Sequence, residues 1–400
     1  MTHRFPTLDD IDVTGKRVIV RMDLNVPMVA GRVTDNTRIV RLLPSLHELL
    51  TKKARIIILS HFGRPKGKYV TDMSLAPLVD ALAAVLPDVT IKFGVDCVGK
   101  EAQEAAASVQ PGEILLLENL RFHAGEEKND AEFAKELASL GEIYINDAFS
   151  SSHRAHASVV GITSYLPFAA GRLMEEELSN IEKYFGNVEH PFTAVVGGAK
   201  VSTKLQLLES LIEKVDHLII GGAMANTFAY AQGSSVGKSL CEPDLKDTAL
   251  RILEQAKKSG CTIHLPTDAV VAEKFAAHAV SDVVGNSDIP ADSMILDVGP
   301  ESVDRFSEVL RNTKTLIWNG PLGAFETSPF DVSTVSLARV AAGLTRKGLL
   351  KSVAGGGDTV AAMTYSGLAE RFSYLSTAGG AFLEWLEGKV LPGVKALEKN

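Results

Sequence analysis

Short, almost uninterrupted apolar runs recur along the whole chain, and they limit the fold more than any other feature. In the first half they occupy residues 17–23 (RVIVRMD), 55–60 (RIIILS), 89–94, 114–119 and 143–147. In the second half they occupy residues 192–198, 217–222, 262–266, 294–299, 315–320 and 352–357. Alternating apolar and polar residues would mark strands with one wet face. A continuous run marks a strand covered on both faces, as in a parallel sheet between layers of helices. Helical stretches lie between the runs, at 131–140, 203–214 and 247–260, the last closing on a Lys-Lys-Ser-Gly stop. Strand–helix alternation throughout predicts an α/β protein built on parallel sheets.

The chain has 400 residues, a length that suits two such domains. The best boundary lies between 165 and 192. LPFAAG breaks the pattern, and a helix then carries Leu173, Leu178, Ile181 and Phe185 at helical spacing before GNVEHP. The tail, from GGAFLEWLEG onward, reads as a short helix followed by an irregular arm.

Charge narrows the partners. Lys and Arg number 41 against 49 Asp and Glu, a net charge of −8, so no overall basic field draws nucleic acid or membrane. No apolar run has the length of a bilayer span. Cys97, Cys241 and Cys261 are far apart and odd in number, with no Cys-x-x-Cys, which fits a reducing compartment. The N-terminal residues are polar and acidic, without the apolar core of an export signal. A soluble cytoplasmic protein is expected, with neither nucleic acid nor membrane as partner.

In open α/β sheets ligands sit beyond the carboxyl ends of the strands. There the first half places Asp23 and Asn25, His61 and Arg64, Arg121 and His123, and His153, Arg154 and His156, with Arg38 in the loop after the first strand. For any one arginine a surface ion pair is the simpler reading. Four at corresponding positions favour a basic pocket, because the guanidinium fork suits phosphate and carboxylate oxygens. The second half is different. Its strands end in VVGGAKVSTK, IIGGAMAN, DVGPES, WNGPLGAFE and AGGGDT. Repeated glycine turns let backbone N–H groups approach an anion. Lys200 and Lys204, four residues apart at the start of a helix, are expected to share a face. Asp358, after three glycines, could hold a metal. Together these suit a nucleotide with its phosphates and Mg²⁺.

Other motifs fall away. GSSVGKS (233–239) has three residues between its glycines where a phosphate-binding loop of the Walker type has four, and no apolar strand precedes it. HRAH offers two histidines and no third ligand nearby. No GxGxxG marks a dinucleotide site. Asp147 reads as a structural hydrogen-bonding group at a strand end.

RVIVRMDLNVP, SHFGRP, LENLRFH, NDAFSSSHRAH, GGAKVSTK, IIGGAMA, WNGPLGAFE and GGGDT follow one another between residues 17 and 359. With these blocks the chain closely resembles the phosphoglycerate kinase family, essentially end to end. The resemblance implies two Rossmann-like domains joined by a helix. Residues 1–170, with a returning arm 381–400, would bind 3-phosphoglycerate or 1,3-bisphosphoglycerate. Residues 171–186 would be the joining helix, and 187–380 would bind Mg-ATP or Mg-ADP. Asp23, Leu24 and Asn25 would meet the glycerate, and Arg38, His61, Phe62, Gly63, Arg64, Arg121 and Arg154 its phosphate and carboxylate. Lys200, Lys204, Gly221, Gly222, Asn319, Glu326, Gly356, Gly357, Asp358 and Thr359 would meet the nucleotide, with Asp358 on Mg²⁺. Arg38, Lys200 and Gly357 would act on the transferring group.

The resemblance also implies a monomer that closes on its substrates. The ends of helix 172–185 and the segments 296–302 and 376–380 are candidate hinges. The chain departs from the family at Leu24, usually phenylalanine, at Ala378, usually glycine, and at Phe382, usually a small residue. Another carboxylate kinase and a two-lobed binding protein are the alternatives.

Overall fold

The computed structural model describes residues 5–398. They form two compact units, one running up to Ser179 and resuming at Val390, the other spanning Asn180–Lys389.

The strands of the first unit are β1 (Arg17–Arg21), β2 (Met28–Val29), β3 (Arg32–Val33), β4 (Arg55–Leu59), β5 (Ile91–Gly94), β6 (Ile114–Leu117), β7 (Ile143–Asn146) and β8 (Phe168–Ala170). Its helices are α1 (Thr37–Thr51), α2 (Leu78–Val85), α3 (Gly99–Ser108), α4 (Ala124–Glu127) and α5 (Ala131–Ala138). Six strands pair in parallel in the order β5-β6-β4-β1-β7-β8, while β2 and β3 form a separate hairpin. The apolar runs are continuous because each face feeds its own core. Val18, Val20, Ile56 and Ile58 pack with Ile39, Leu42 and Leu46 of α1. Ile19, Ile57 and Leu115 pack with Ala102 of α3 and Leu137 of α5 on the other side. LPFAAG, expected as a break, supplies the edge strand β8.

Next comes α6 (Arg172–Phe185), the helix expected between the domains; it crosses from one unit into the other at Ser179. Asp147 at the end of β7 holds its start, accepting from the N–H groups of Leu173 (2.9 Å) and Met174 (3.1 Å).

The second unit contains β9 (Phe192–Val196), β10 (His217–Ile220), β11 (Thr262–His264), β12 (Asp268–Ala272), β13 (Asp282–Gly285), β14 (Met294–Val298), β15 (Thr315–Asn319), β16 (Lys351–Gly355) and β17 (Tyr374–Ser376). Its helices are α7 (Leu205–Leu211), α8 (Ala223–Ala231), α9 (Lys246–Ser259), α10 (Pro300–Asn312), α11 (Val332–Arg346), α12 (Gly357–Tyr365) and α13 (Gly380–Leu386). Six strands again pair in parallel, in the order β11-β10-β9-β15-β16-β17. Gly260, in the left-handed conformation at φ +80°, ends α9 as its Lys-Lys-Ser-Gly stop requires.

Run 294–299 is a correction. As β14 it belongs to a separate antiparallel sheet, β13-β12-β14, and its first three residues are only half-buried because they face a cavity. Residues 381–389, expected in the returning arm, lie in the second unit. There the Leu386 carbonyl accepts from Ser210 of α7 and from Lys214, and the Phe382 ring packs on Gly355. That ring fills the space left by a glycine in β16, which accounts for its full burial. A last helix, α14 (Pro392–Lys395), sits on the first unit, where the Gly393 N–H donates to the Ser152 carbonyl at 2.8 Å.

Candidate active site

In the first unit a hydrogen-bonded set forms at the carboxyl ends of β1, β4 and β6. Arg38 lies in the first turn of α1, not in a loop, and from there its guanidinium reaches Asp23 (2.8 Å) and the Asn25 carbonyl (3.1 Å). Ser150 also donates to Asp23, at 2.5 Å. The Asn25 side-chain oxygen accepts from the Gly63 N–H (3.0 Å), and the Gly63 carbonyl accepts from Arg121 (2.7 Å). Gly63 adopts φ +60°, and a Cβ there would lie 2.9 Å from the Met73 sulfur. Only glycine serves this turn without strain. Phe62 presents its carbonyl to Asn119, and its ring leans on the core. His61 is buried.

Not every expected residue points into this set. The Leu24 side chain is fully buried in the core, so only its backbone could face a ligand. Arg64 is exposed, and no hydrogen bond or ion pair among the described residues ties it to the others. Arg154 donates to its neighbour His153 at 3.1 Å.

Charge does not balance here. Burial, reinforced by the like charges of Arg154 and Arg21, pulls the Arg121 guanidinium down to about 10. Glu127 is its nearest carboxylate, at 3.7 Å, and its Nε is buried without a hydrogen-bond partner. Such crowded cations await an anion.

The second unit holds a cavity of about 790 Å³. Its lining includes Gly222, Leu296, Leu322, Glu326 and Asp358, with apolar walls. Gly222 (φ +68°) caps α8, and a Cβ there would lie 2.6 Å from the Gly198 carbonyl. Gly356 (φ +100°) precedes α12, which starts without a side-chain cap. Its first N–H groups point outward beside Asp358, an arrangement that suits phosphate oxygens. The start of α10, which falls within DVGPES at Pro300, is closed to an anion, because the Asp268 carboxylate accepts from Glu301 N–H (2.9 Å) and Ser302 N–H (2.8 Å). Asp358 is exposed in the first turn of α12. One carboxylate together with nucleotide phosphates is the oxygen-donor set that Mg²⁺ prefers, so the residue fits that ion.

Lys200 and Lys204 do not share a helix face. A 3₁₀ turn, Val201–Thr203, separates them, and α7 begins only at Leu205. Lys200 is exposed. Lys204 folds inward, donating to the carbonyls of Gly197 (2.7 Å) and Asn319 (3.2 Å) and to the Asn319 side-chain oxygen. Burial pulls its ammonium down to about 8. Asn319 is itself buried and donates to the Gly355 carbonyl, so it braces Lys204 instead of lining the cavity. Thr359 is likewise buried, accepting from the Gly320 N–H at 2.7 Å. Gly221, Gly356 and Gly357 border the turns without lining the cavity.

Residue-by-residue reading missed several groups. Arg21 is fully buried inside β1. Asn119 ties the Phe62 and Met73 carbonyls to the Arg121 N–H. Asp297, in the cavity wall, is pushed up to about 7 by burial. Each sits within or beside an apolar run, where only an out-of-place polar residue betrays it.

A two-unit α/β scaffold with a cation-rich set on one unit and an uncapped, glycine-flanked helix start beside a cavity on the other defines the phosphotransferase class. The family model for phosphoglycerate kinase matches residues 8–389. Curated relatives include phosphoglycerate kinase of Cereibacter sphaeroides, 59% identical over 391 residues and 98% of each chain. That of Rhizobium meliloti is 56% identical over 397 residues and 99% of each chain. Among solved structures, phosphoglycerate kinase from Coxiella burnetii superposes with a TM-score of 0.87 at 42% identity, and that from Pyrococcus horikoshii with 0.84 at 29%. Each match covers 98% of both chains. The chain belongs to the phosphoglycerate kinase family.

Proposed function

We propose that this protein transfers a phosphoryl group reversibly between ATP and the carboxylate of 3-phosphoglycerate, giving ADP and 1,3-bisphosphoglycerate, in glycolysis and gluconeogenesis. It would act as a cytoplasmic monomer. Among the described residues no helix is long and apolar enough to cross a membrane. The observation that carries the reading is the cation set of Arg38, Arg121 and Arg154, which is only partly offset by Asp23 on Arg38 (2.8 Å) and Glu127 on Arg121 (3.7 Å). An acceptor with a phosphate and a carboxylate supplies the missing negative charge at both ends.

The acceptor carboxylate is ionised at pH 7, its reference pKa being about 4. It needs no general base, and the residues offered here are donors and cations. Arg38 and Lys200 would neutralise charge on the moving group, and the N–H groups around Gly357 would hold its oxygens. Asp358 would hold Mg²⁺, which when bound neutralises charge on the nucleotide phosphates. His61, Arg64, Arg121 and Arg154 would orient the acceptor, while Asp23 and Asn25 meet its hydroxyl end. The cavity beside Leu296, Leu322 and Glu326 would take the base and ribose. No single unit carries both residue sets, so transfer would follow closure of the units on their ligands. Closure also excludes water, which would hydrolyse an acyl phosphate.

The test is to supply Mg-ATP and trap the acyl phosphate as its hydroxamate. 3-Phosphoglycerate should give product, and glycerate or acetate next to none. Comparable product from the unphosphorylated acids would indicate a different carboxylate kinase. No product from any acid would favour a binding protein.

A further inference from the structure

Arg21 is a fully buried arginine on the central strand β1, and the terminal nitrogen that meets His61 also donates to the Ser151 hydroxyl at 3.4 Å. That nitrogen lies 3.0 Å from Nδ1 of His61. A guanidinium carries donors and no acceptor. Nδ1 must therefore present its lone pair, which leaves the ring proton on Nε2. The rest of Arg21 is tied down. Its Nε donates to the Ser158 hydroxyl (3.0 Å), and the other terminal nitrogen donates to the Met22 carbonyl. The Ser158 hydroxyl donates in turn to Glu126 (2.6 Å), whose other oxygen accepts the Ser158 N–H (2.9 Å). Glu126 is fully buried, so it balances the arginine's charge through one hydroxyl.

We propose that Arg21, braced by Ser158 and Glu126, is a positioning residue that holds His61 as the neutral tautomer with its proton on Nε2. The pocket thus receives a fixed neutral donor among its cations. Nε2 has no hydrogen-bond partner among the described residues, which leaves it free for an oxyanion. A second proton on His61 would have to displace Arg21 from Nδ1. The groups facing the ring are Arg21 on β1, Asp23 just beyond it, Arg121 on the turn after β6 and Arg154 beyond β7. Three of the four are cations. Burial first, then Arg21, holds the imidazole well below its ordinary value, against the opposing charge of Asp23. That the oxyanion belongs to 3-phosphoglycerate rests on the function proposed above. The tautomer does not.

The two parts separate by measurement. Histidine-¹⁵N-labelled wild-type protein, free of ligand, is followed by long-range ¹H–¹⁵N spectra from pH 5.5 to 8, with His61 assigned by its loss in His61→Gln. The expected pattern is a neutral ring protonated at Nε2 that does not titrate across this window. A proton on Nδ1, or a protonated ring at pH 7, overturns the proposal without any variant having to fold. In Arg21→Met the ring should mix tautomers or titrate, and the Kd for 3-phosphoglycerate should rise roughly tenfold to hundredfold, with the Kd for Mg-ADP unchanged. Arg21→Lys, which keeps a donor, should restore most of the wild-type pattern. An unchanged His61 spectrum in Arg21→Met overturns the positioning role. The expected wild-type spectrum with no affinity for 3-phosphoglycerate supports the tautomer and overturns the substrate reading.

Discussion

Lys204 is the side chain whose chemistry the fold alters most. Held among the carbonyls of Gly197 and Asn319 and the Asn319 side chain, its ammonium titrates at about 8, burial being the cause and Asp358 opposing it. Phosphate favours the charged form, so nucleotide affinity should fall as pH rises through about 8. Binding at pH 8 should take up about half a proton. Calorimetry in buffers of different ionisation enthalpy reads this directly, and Lys204→Met should abolish the uptake. Arg38 makes the complementary case. Removing one charge that acts on the moving group lowers turnover roughly 10²–10³-fold. Arg38→Ala should show that loss in kcat, and near wild-type turnover would remove Arg38 from its role. Both residues stand out in the sequence as cations in the segments that follow strands. The bracing behind Lys204 and His61 does not, because Asn319 and Arg21 lie inside apolar strands and find those partners far along the chain.

At the scale of elements, the parallel strands are legible because both their faces are buried, and helices α5, α6 and α9 because their apolar positions recur at helical spacing. The antiparallel sheet β13-β12-β14 is not legible. Its middle strand, Asp-Ala-Val-Val-Ala, is a short apolar stretch like those of the parallel sheets, and nothing local shows that it pairs antiparallel with 282–285 and 294–298. The glycine turns are legible as turns only. Sequence does not tell that the turn before α12 stays open while the one before α10 is filled by Asp268. Asp147 shows the same logic at α6. Its carboxylate accepts two N–H groups at the helix start, and burial pushes it up to about 6. Asp147→Ala should cost about 1–3 kcal/mol by leaving those donors buried and unpaired. Chemical denaturation measures the loss, and a change within a few tenths would exclude the capping role.

In the function proposed for the whole molecule, acceptor and nucleotide would each be held by a different unit. Asp358→Ala should weaken Mg-nucleotide binding and leave 3-phosphoglycerate binding intact, because the acceptor residues lie in the other unit. Titration calorimetry of each ligand would decide it, and equal loss of both affinities would argue against separate half-sites. The central claim is that the phosphoryl group passes directly between two bound substrates, with charge and position as the protein's contribution and no protein nucleophile. Stereochemistry at phosphorus tests that claim most directly. With ATP chiral at the γ-phosphorus by oxygen isotopes and 3-phosphoglycerate as acceptor, a single in-line displacement predicts inversion of configuration in the product. Retention would mean two displacements through a phosphorylated protein group, and would contradict the account.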